Sequence, residues 1–110
     1  MDQARVVLST APDLETAERL ARELVEQRLA ACVNGLPGAF SIYRWQGSIE
    51  RATEVLLIAK TEASRLSEIF AWLERSHPYE VPECIALPAG EISPRYRAWL
   101  EHEVQSGGPA

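Results

Sequence analysis

Several things are scarce in this chain of 110 residues: it has one lysine, two histidines and two cysteines. Its longest unbroken apolar runs, among them Leu29–Val33 and Val55–Ala59, are short against the ~20 residues a bilayer-spanning helix requires. The net charge is −5 and no run of arginine or lysine occurs. A nucleic-acid footprint is therefore missing, and an anionic membrane surface is an equally poor partner. Cys32 and Cys84 stand far apart, which is no disulfide framework. Free thiols in a reducing cytoplasm are the expectation, and both cysteines read as buried. The start, MDQARVVLST, runs straight into a strand-like stretch and lacks the pattern of a signal peptide. Catalytic signatures are missing too. There is no nucleophile elbow, no phosphate loop, no Cys-x-x-Cys and no histidine pair at helical spacing. No enzyme is expected.

What is present is ordinary globular composition, 46% apolar and 25% charged, at the size of one domain. Residues 1–104 read as that domain and 105–110, rich in Gly, Pro and Ser, as a flexible tail. Arg5–Thr10 reads as a strand, and Asp13 as the N-cap of an amphipathic helix. Leu14, Ala17, Leu20, Ala21, Leu24 and Val25 have the spacing of one face of that helix. Ala31–Ile42 is a long extended segment interrupted at Asn34–Gly35 and Pro37–Gly38, and it resumes through Trp45. Gln46–Gly47 supplies a hairpin turn, and Ser48–Lys60 returns as the partner strand. Thr61 is placed to cap a second helix, whose face is Leu66, Ile69, Phe70 and Leu73 and which ends near Ser76 because His77 precedes Pro78. Pro82–Leu87 is a fourth strand. Ser93–Pro94 starts a third helix with Tyr96, Trp99, Leu100 and Glu103 on one face.

The first six elements follow the β-α-β-β-α-β order of a ferredoxin-like α+β sandwich, with an extra C-terminal helix. Two helices cover one face of such a sheet. A wet second face would force strict alternation, yet Val6–Leu8, Val55–Ile58 and Cys84–Leu87 are apolar throughout. Another copy of the chain covering that face is the economical explanation; a monomer covered by its own third helix and tail is the other.

Four segments carry a family resemblance: STAPD (9–13), LVEQRLAACVNGLPGAFSIYRWQGSIE (24–50), EVLLIAKT (54–61) and HPYEVPE (77–83). In order and spacing they resemble the CutA family, from about Val6 to Leu100. The resemblance implies a ferredoxin-like fold, a homotrimer and an association with tolerance of divalent metals, copper in particular. Fold and trimer also resemble the PII signalling proteins, which bind small ligands in clefts between subunits, so a signalling or adaptor trimer is the alternative. Cys84 and Gly35 stand where the family more often has an aliphatic residue, and Cys84 reads as a core substitute.

A two-residue turn pairs Trp45 with Ser48, Tyr43 with Glu50 and Ala39 with Glu54, so Tyr43, Trp45, Glu54 and Lys60 share one face. Lys60 is either an anchor for an anion or a solvated strand end. Cys32, His77 and Glu83 offer thiolate, imidazole and carboxylate, which suit weak copper binding. His77 and Tyr79 instead satisfy buried polar groups if their role is structural. Trp45 and Tyr79 belong either to an interface or to a ligand cleft. The expected functional surface is a cleft between subunits lined by Tyr43, Trp45, Glu54, Lys60, His77, Tyr79 and Glu83, open to a metal ion or a small ligand, with no tightly bound cofactor.

Overall fold

The structure is a computed structural model and describes residues 3–105. Apart from Gln105, the tail expected at 105–110 lies outside the described residues. The elements are β1 (Ala4–Ala11), α1 (Leu14–Glu26), β2 (Cys32–Trp45), β3 (Ser48–Glu62), a 3-10 turn (Ala63–Arg65), α2 (Leu66–Ser76), β4 (Ile85–Pro88) and α3 (Pro94–Glu103). The strands form one antiparallel sheet in the order β2-β3-β1-β4. That is the ferredoxin-like arrangement expected from the element order.

Helix α1 starts where the sequence marks it. The Asp13 carboxylate accepts from the Thr16 backbone N–H at 2.8 Å, and that hydrogen bond holds the acid below its usual pKa. Leu20 and Leu24 of α1 and Ile69 and Leu73 of α2 pack onto Val7, Ala11, Val55, Leu57 and Ala59. Each such leucine or isoleucine contributes about 1.5–3 kcal/mol by leaving water, so this helix-covered face is the main core. Cys84 packs against the same cluster. Burial pushes its thiol above the usual range, with Glu74 and Glu83 adding to the effect.

Four local expectations are corrected. Thr61 does not cap α2: it is fully buried at the end of β3, where its hydroxyl donates to the Leu29 carbonyl at 2.6 Å. The intervening 3-10 turn starts the helix instead. The last strand begins at Ile85 rather than Pro82, because pairing with β1 starts at Leu8–Ile85 and proline brings no N–H to a ladder. Ser93 precedes α3 without a side-chain cap bond. Finally, Leu100 of α3 and Val104 just after it are buried against Ala4 and Ala31, while Tyr96 and Trp99 remain exposed. The helix docks at one end of the sheet, so only the positions facing that end are covered.

The sheet's second face stays largely open. Register places Leu8 between Ile58 and Ile85, and Val6 between Lys60 and Leu87. Ile85 and Leu87 are exposed. Strand β1 stops at Ala11, opposite Val55. Beyond that point β2 and β3 continue alone as a two-stranded ribbon, which stretches the molecule to 44 × 27 × 21 Å. The ribbon pairs Ala39–Glu54, Tyr43–Glu50 and Trp45–Ser48, as the turn position predicts. A register shift between Leu36 and Ala39 marks the bulge at Pro37–Gly38. Gln46 and Gly47 both have positive φ, 49° and 85°, the requirement of a type I′ hairpin turn. On the ribbon Phe40, Ile42 and Ile49 are 63–66% exposed.

Candidate functional site

A groove of about 930 Å³ runs between the ribbon and the loop that follows α2. Ser41, Tyr43 and Trp45 of β2 form one wall, and Tyr79, Val81 and Glu83 contribute to the other. Alternation along β2 puts Ser41, Tyr43 and Trp45 on one face, the face that also carries Glu54 through the Ala39–Glu54 pair.

The loop is anchored at its start by His77. This side chain is buried, and its Nε2 lies 2.6 Å from the Thr10 carbonyl oxygen. Its Nδ1 accepts from the Tyr79 backbone N–H at 3.1 Å. A nitrogen that accepts carries no proton, so Nε2 is the protonated one and donates to Thr10. The His77 and Tyr79 rings lie 4.7 Å apart. Tyr79 then crosses to the sheet, where its hydroxyl donates to the Glu54 carboxylate at 2.5 Å. Ser41 donates to the other Glu54 oxygen, also at 2.5 Å. Burial pushes the Tyr79 hydroxyl well above its usual pKa; the Glu54 hydrogen bond and charge add to the shift.

Five of the expected residues thus come together within one subunit: Tyr43, Trp45, Glu54, Tyr79 and Glu83, with His77 beneath them. Lys60 and Cys32 do not join them. They are cross-strand neighbours of each other, and the Lys60 ammonium donates to the Asn34 side-chain carbonyl. Lys60 is opposite Val6, and Thr10 is four residues further along β1, about 13 Å at strand rise. Cys32 has Tyr96 of α3 beside it; burial raises the Tyr96 hydroxyl, and Cys32 contributes. Cys32, His77 and Glu83 therefore do not converge in one subunit, and no group of three or more His, Cys, Asp or Glu side chains suited to a metal ion occurs among the described residues. Both His77 nitrogens are already engaged.

Sequence reasoning missed Ser41 and the Thr10 carbonyl. Ser41 was within reach of it: once Ala39 is paired with Glu54, residue 41 is the next side chain on that face. The Thr10 carbonyl has no sequence signal, since any residue supplies that group.

Taken together, the chain is a ferredoxin-like α+β subunit with an open apolar sheet face and an aromatic, acidic groove at the end of β1. It belongs to the family described as CutA1 divalent ion tolerance protein, whose pattern matches residues 5–103. A divalent-cation tolerance protein CutA of Thermus thermophilus is 47% identical over 99 residues, covering 90% of this chain and 96% of that one. A protein of the same name from Pectobacterium atrosepticum is 44% identical, covering 93% of each chain. Among solved structures, CutA of Xylella fastidiosa superposes with a TM-score of 0.90 at 44% identity, covering 94% of this chain and 99% of that chain. These likenesses favour the divalent-ion tolerance expectation over the signalling or adaptor alternative.

Proposed function

We propose that this chain acts in the cytoplasmic response to divalent metal ions as a homotrimer, and as a binding protein rather than an enzyme. The observation that carries the trimer is the apolar surface that the single chain leaves open: Ile85 and Leu87 on the sheet, and Phe40, Ile42 and Ile49 on the ribbon. A two-stranded ribbon with apolar side chains in water has little stability of its own. A neighbouring copy packed along it supplies the missing cover. The family supports the role in divalent-ion tolerance. Two unpaired, half-buried thiols fit a reducing compartment. Sedimentation at micromolar concentration tests the assembly, and a stable monomer there would end the trimer reading.

Weak copper binding falls to Cys32. It is a half-buried thiol on the open face, and soft thiolate suits copper(I). His77 would have to give up a ring hydrogen bond to ligate, and Glu83 lies at the other end of the sheet. Calorimetry with copper on the wild type, Cys32→Ser and His77→Ala separates these residues. Loss of heat in Cys32→Ser with little change in His77→Ala is expected; unchanged heat in Cys32→Ser removes the thiol as a ligand.

A further inference from the structure

Arg28 holds a backbone conformation that its residue type disfavours. Gln27 caps the end of α1, and Arg28 follows at φ 59°, in the left-handed region that glycine takes freely. The Arg28 N–H donates to the Val25 carbonyl and the Leu29 N–H to the Leu24 carbonyl, both at 3.0 Å. Glycine is the usual residue in a helix end closed this way. The arginine supplies a side chain that glycine lacks. Its Nη1 donates to the Glu103 carbonyl oxygen at 3.0 Å, across 75 residues of sequence, and lies 3.5 Å from the Glu103 carboxylate. Glu103 ends α3, so the guanidinium also meets the negative end of that helix. From the other side, Arg65 Nε donates to the Arg28 carbonyl at 3.2 Å and fixes the strained backbone. Strain kept at a residue whose side chain reaches a distant element points to a role for that reach.

Arg28 fastens a short helix that lies over one end of the sheet. Leu100 and Val104 are buried on Ala4 and Ala31, with Ala89 and Ile92 alongside. Ala4 and Val6 share a face of β1. Val6 is opposite Lys60, and Lys60 is opposite Cys32, so α3 lies on the side of the sheet that carries Cys32, and at the same end. Ala31 is the residue before Cys32, and the Tyr96 hydroxyl of α3 lies beside the Cys32 thiol. The connection from β4 to α3 passes through Gly90 at φ 78°, with open space around its Cα. A residue so placed can absorb the backbone change when a helix moves.

We propose that α3 is a hinged cover over the Cys32 thiol, held shut by Arg28, and that its opening admits a soft metal ion to the sulfur. The metal rests on the reading of Cys32 as the copper ligand; the cover does not. A neighbouring copy on the same side of the sheet would shield Cys32 in every variant alike, so differences between variants report α3.

The test is alkylation of the full chain by iodoacetamide under native conditions, with Cys32 and Cys84 followed separately by mass spectrometry. Cys84 packs against the helix-covered core and reports loosening of the whole fold. Wild type, Arg28→Gly and Tyr96→Ala are compared, each checked by circular dichroism and sedimentation. Arg28→Gly relieves the backbone strain and removes the latch, so Cys32 should label about fivefold faster or more, with Cys84 unchanged. Tyr96→Ala should speed Cys32 labelling with Arg28 intact. Unchanged Cys32 labelling in Arg28→Gly overturns the proposal and leaves the shielding to a neighbouring copy. Parallel acceleration of Cys84 overturns it as well, because the fold as a whole has then loosened. Should Arg28→Gly fail to fold, Tyr96→Ala decides alone: an unchanged rate there overturns the cover. Copper calorimetry on the same samples separates the two readings. Faster labelling in Arg28→Gly without any heat that Cys32→Ser removes upholds the cover and overturns the metal it admits.

Discussion

The Tyr79 hydroxyl donates to the Glu54 carboxylate at 2.5 Å across 25 residues of sequence. That one bond ties the loop after α2 to the strand that forms the ribbon. It also closes a chain of contacts running from the Thr10 carbonyl through His77 and Tyr79 to Glu54 and Ser41.

Removing the hydroxyl should therefore cost more than its area suggests. Tyr79→Phe leaves one Glu54 oxygen buried without its donor, and a loss of about 1–3 kcal/mol is expected. Urea unfolding measures it. The same variant has a pH signature. The folded-state pKa of Tyr79 lies above its unfolded value of about 10. Its contribution is then fully present below pH 10 and is lost as pH rises toward the folded pKa. Wild-type stability should fall more steeply than that of Tyr79→Phe above pH 10. Parallel pH profiles would show that Tyr79 stays protonated for no structural gain.

His77 and His102 should behave differently. His77 is buried with both nitrogens bonded, and His77→Ala frees the Thr10 carbonyl and the Tyr79 N–H together. A loss of about 2–3 kcal/mol is expected. His102 is exposed on α3, beside Glu103, and His102→Ala should stay within about 0.5 kcal/mol of wild type. Thermal unfolding of the pair checks the contrast, which equal shifts would abolish.

Ser9 offers a gain. Its hydroxyl is buried on the helix-covered side of β1 and has no hydrogen-bond partner among the described protein atoms. Ser9→Ala removes an unsatisfied polar group while opening little space, so stability should rise by about 1 kcal/mol. A clear loss in denaturant unfolding would mean that the hydroxyl is satisfied in solution.

The open sheet face is tested by charge. Ile58 is opposite Leu8 on β1, on the side away from the helices, and Ile58→Asp should yield no soluble folded monomer if a second copy covers that side. A carboxylate buried without a partner costs several kcal/mol. Size-exclusion chromatography that recovers a folded, monodisperse monomer of Ile58→Asp would sink the idea that this face is covered.

The turn is open to improvement. Both Gln46 and Gly47 hold positive φ, which asparagine tolerates better than glutamine. Gln46→Asn should raise stability by a few tenths of a kcal/mol, while Gly47→Ala should lower it by about 1 kcal/mol. A scan by thermal unfolding in which Gly47→Ala is neutral would contradict the turn geometry.

The sequence by itself determined the element order, the Asp13 cap, the Gln46–Gly47 turn and the pairing that follows from it, including Ala39 with Glu54. These are local or follow from counting residues outward from a turn, so periodicity and backbone chemistry suffice. It also marked the sheet as apolar on both sides, because alternation fails in Val55–Ile58. Tertiary structure alone decided the rest. Thr61 reads as a cap by its residue type, but the buried Leu29 carbonyl claims its hydroxyl. Lys60 and Glu54 share a strand face, yet only Glu54 meets Tyr79 and Ser41, since strand rise separates them by about 20 Å. Cys32 and His77 looked like partners by chemistry and are held apart by the length of β1. Glu54 itself gives no sign in the sequence that it will be buried: it becomes so because β1 stops at Ala11, and the chain then brings Tyr79 over the end of that strand.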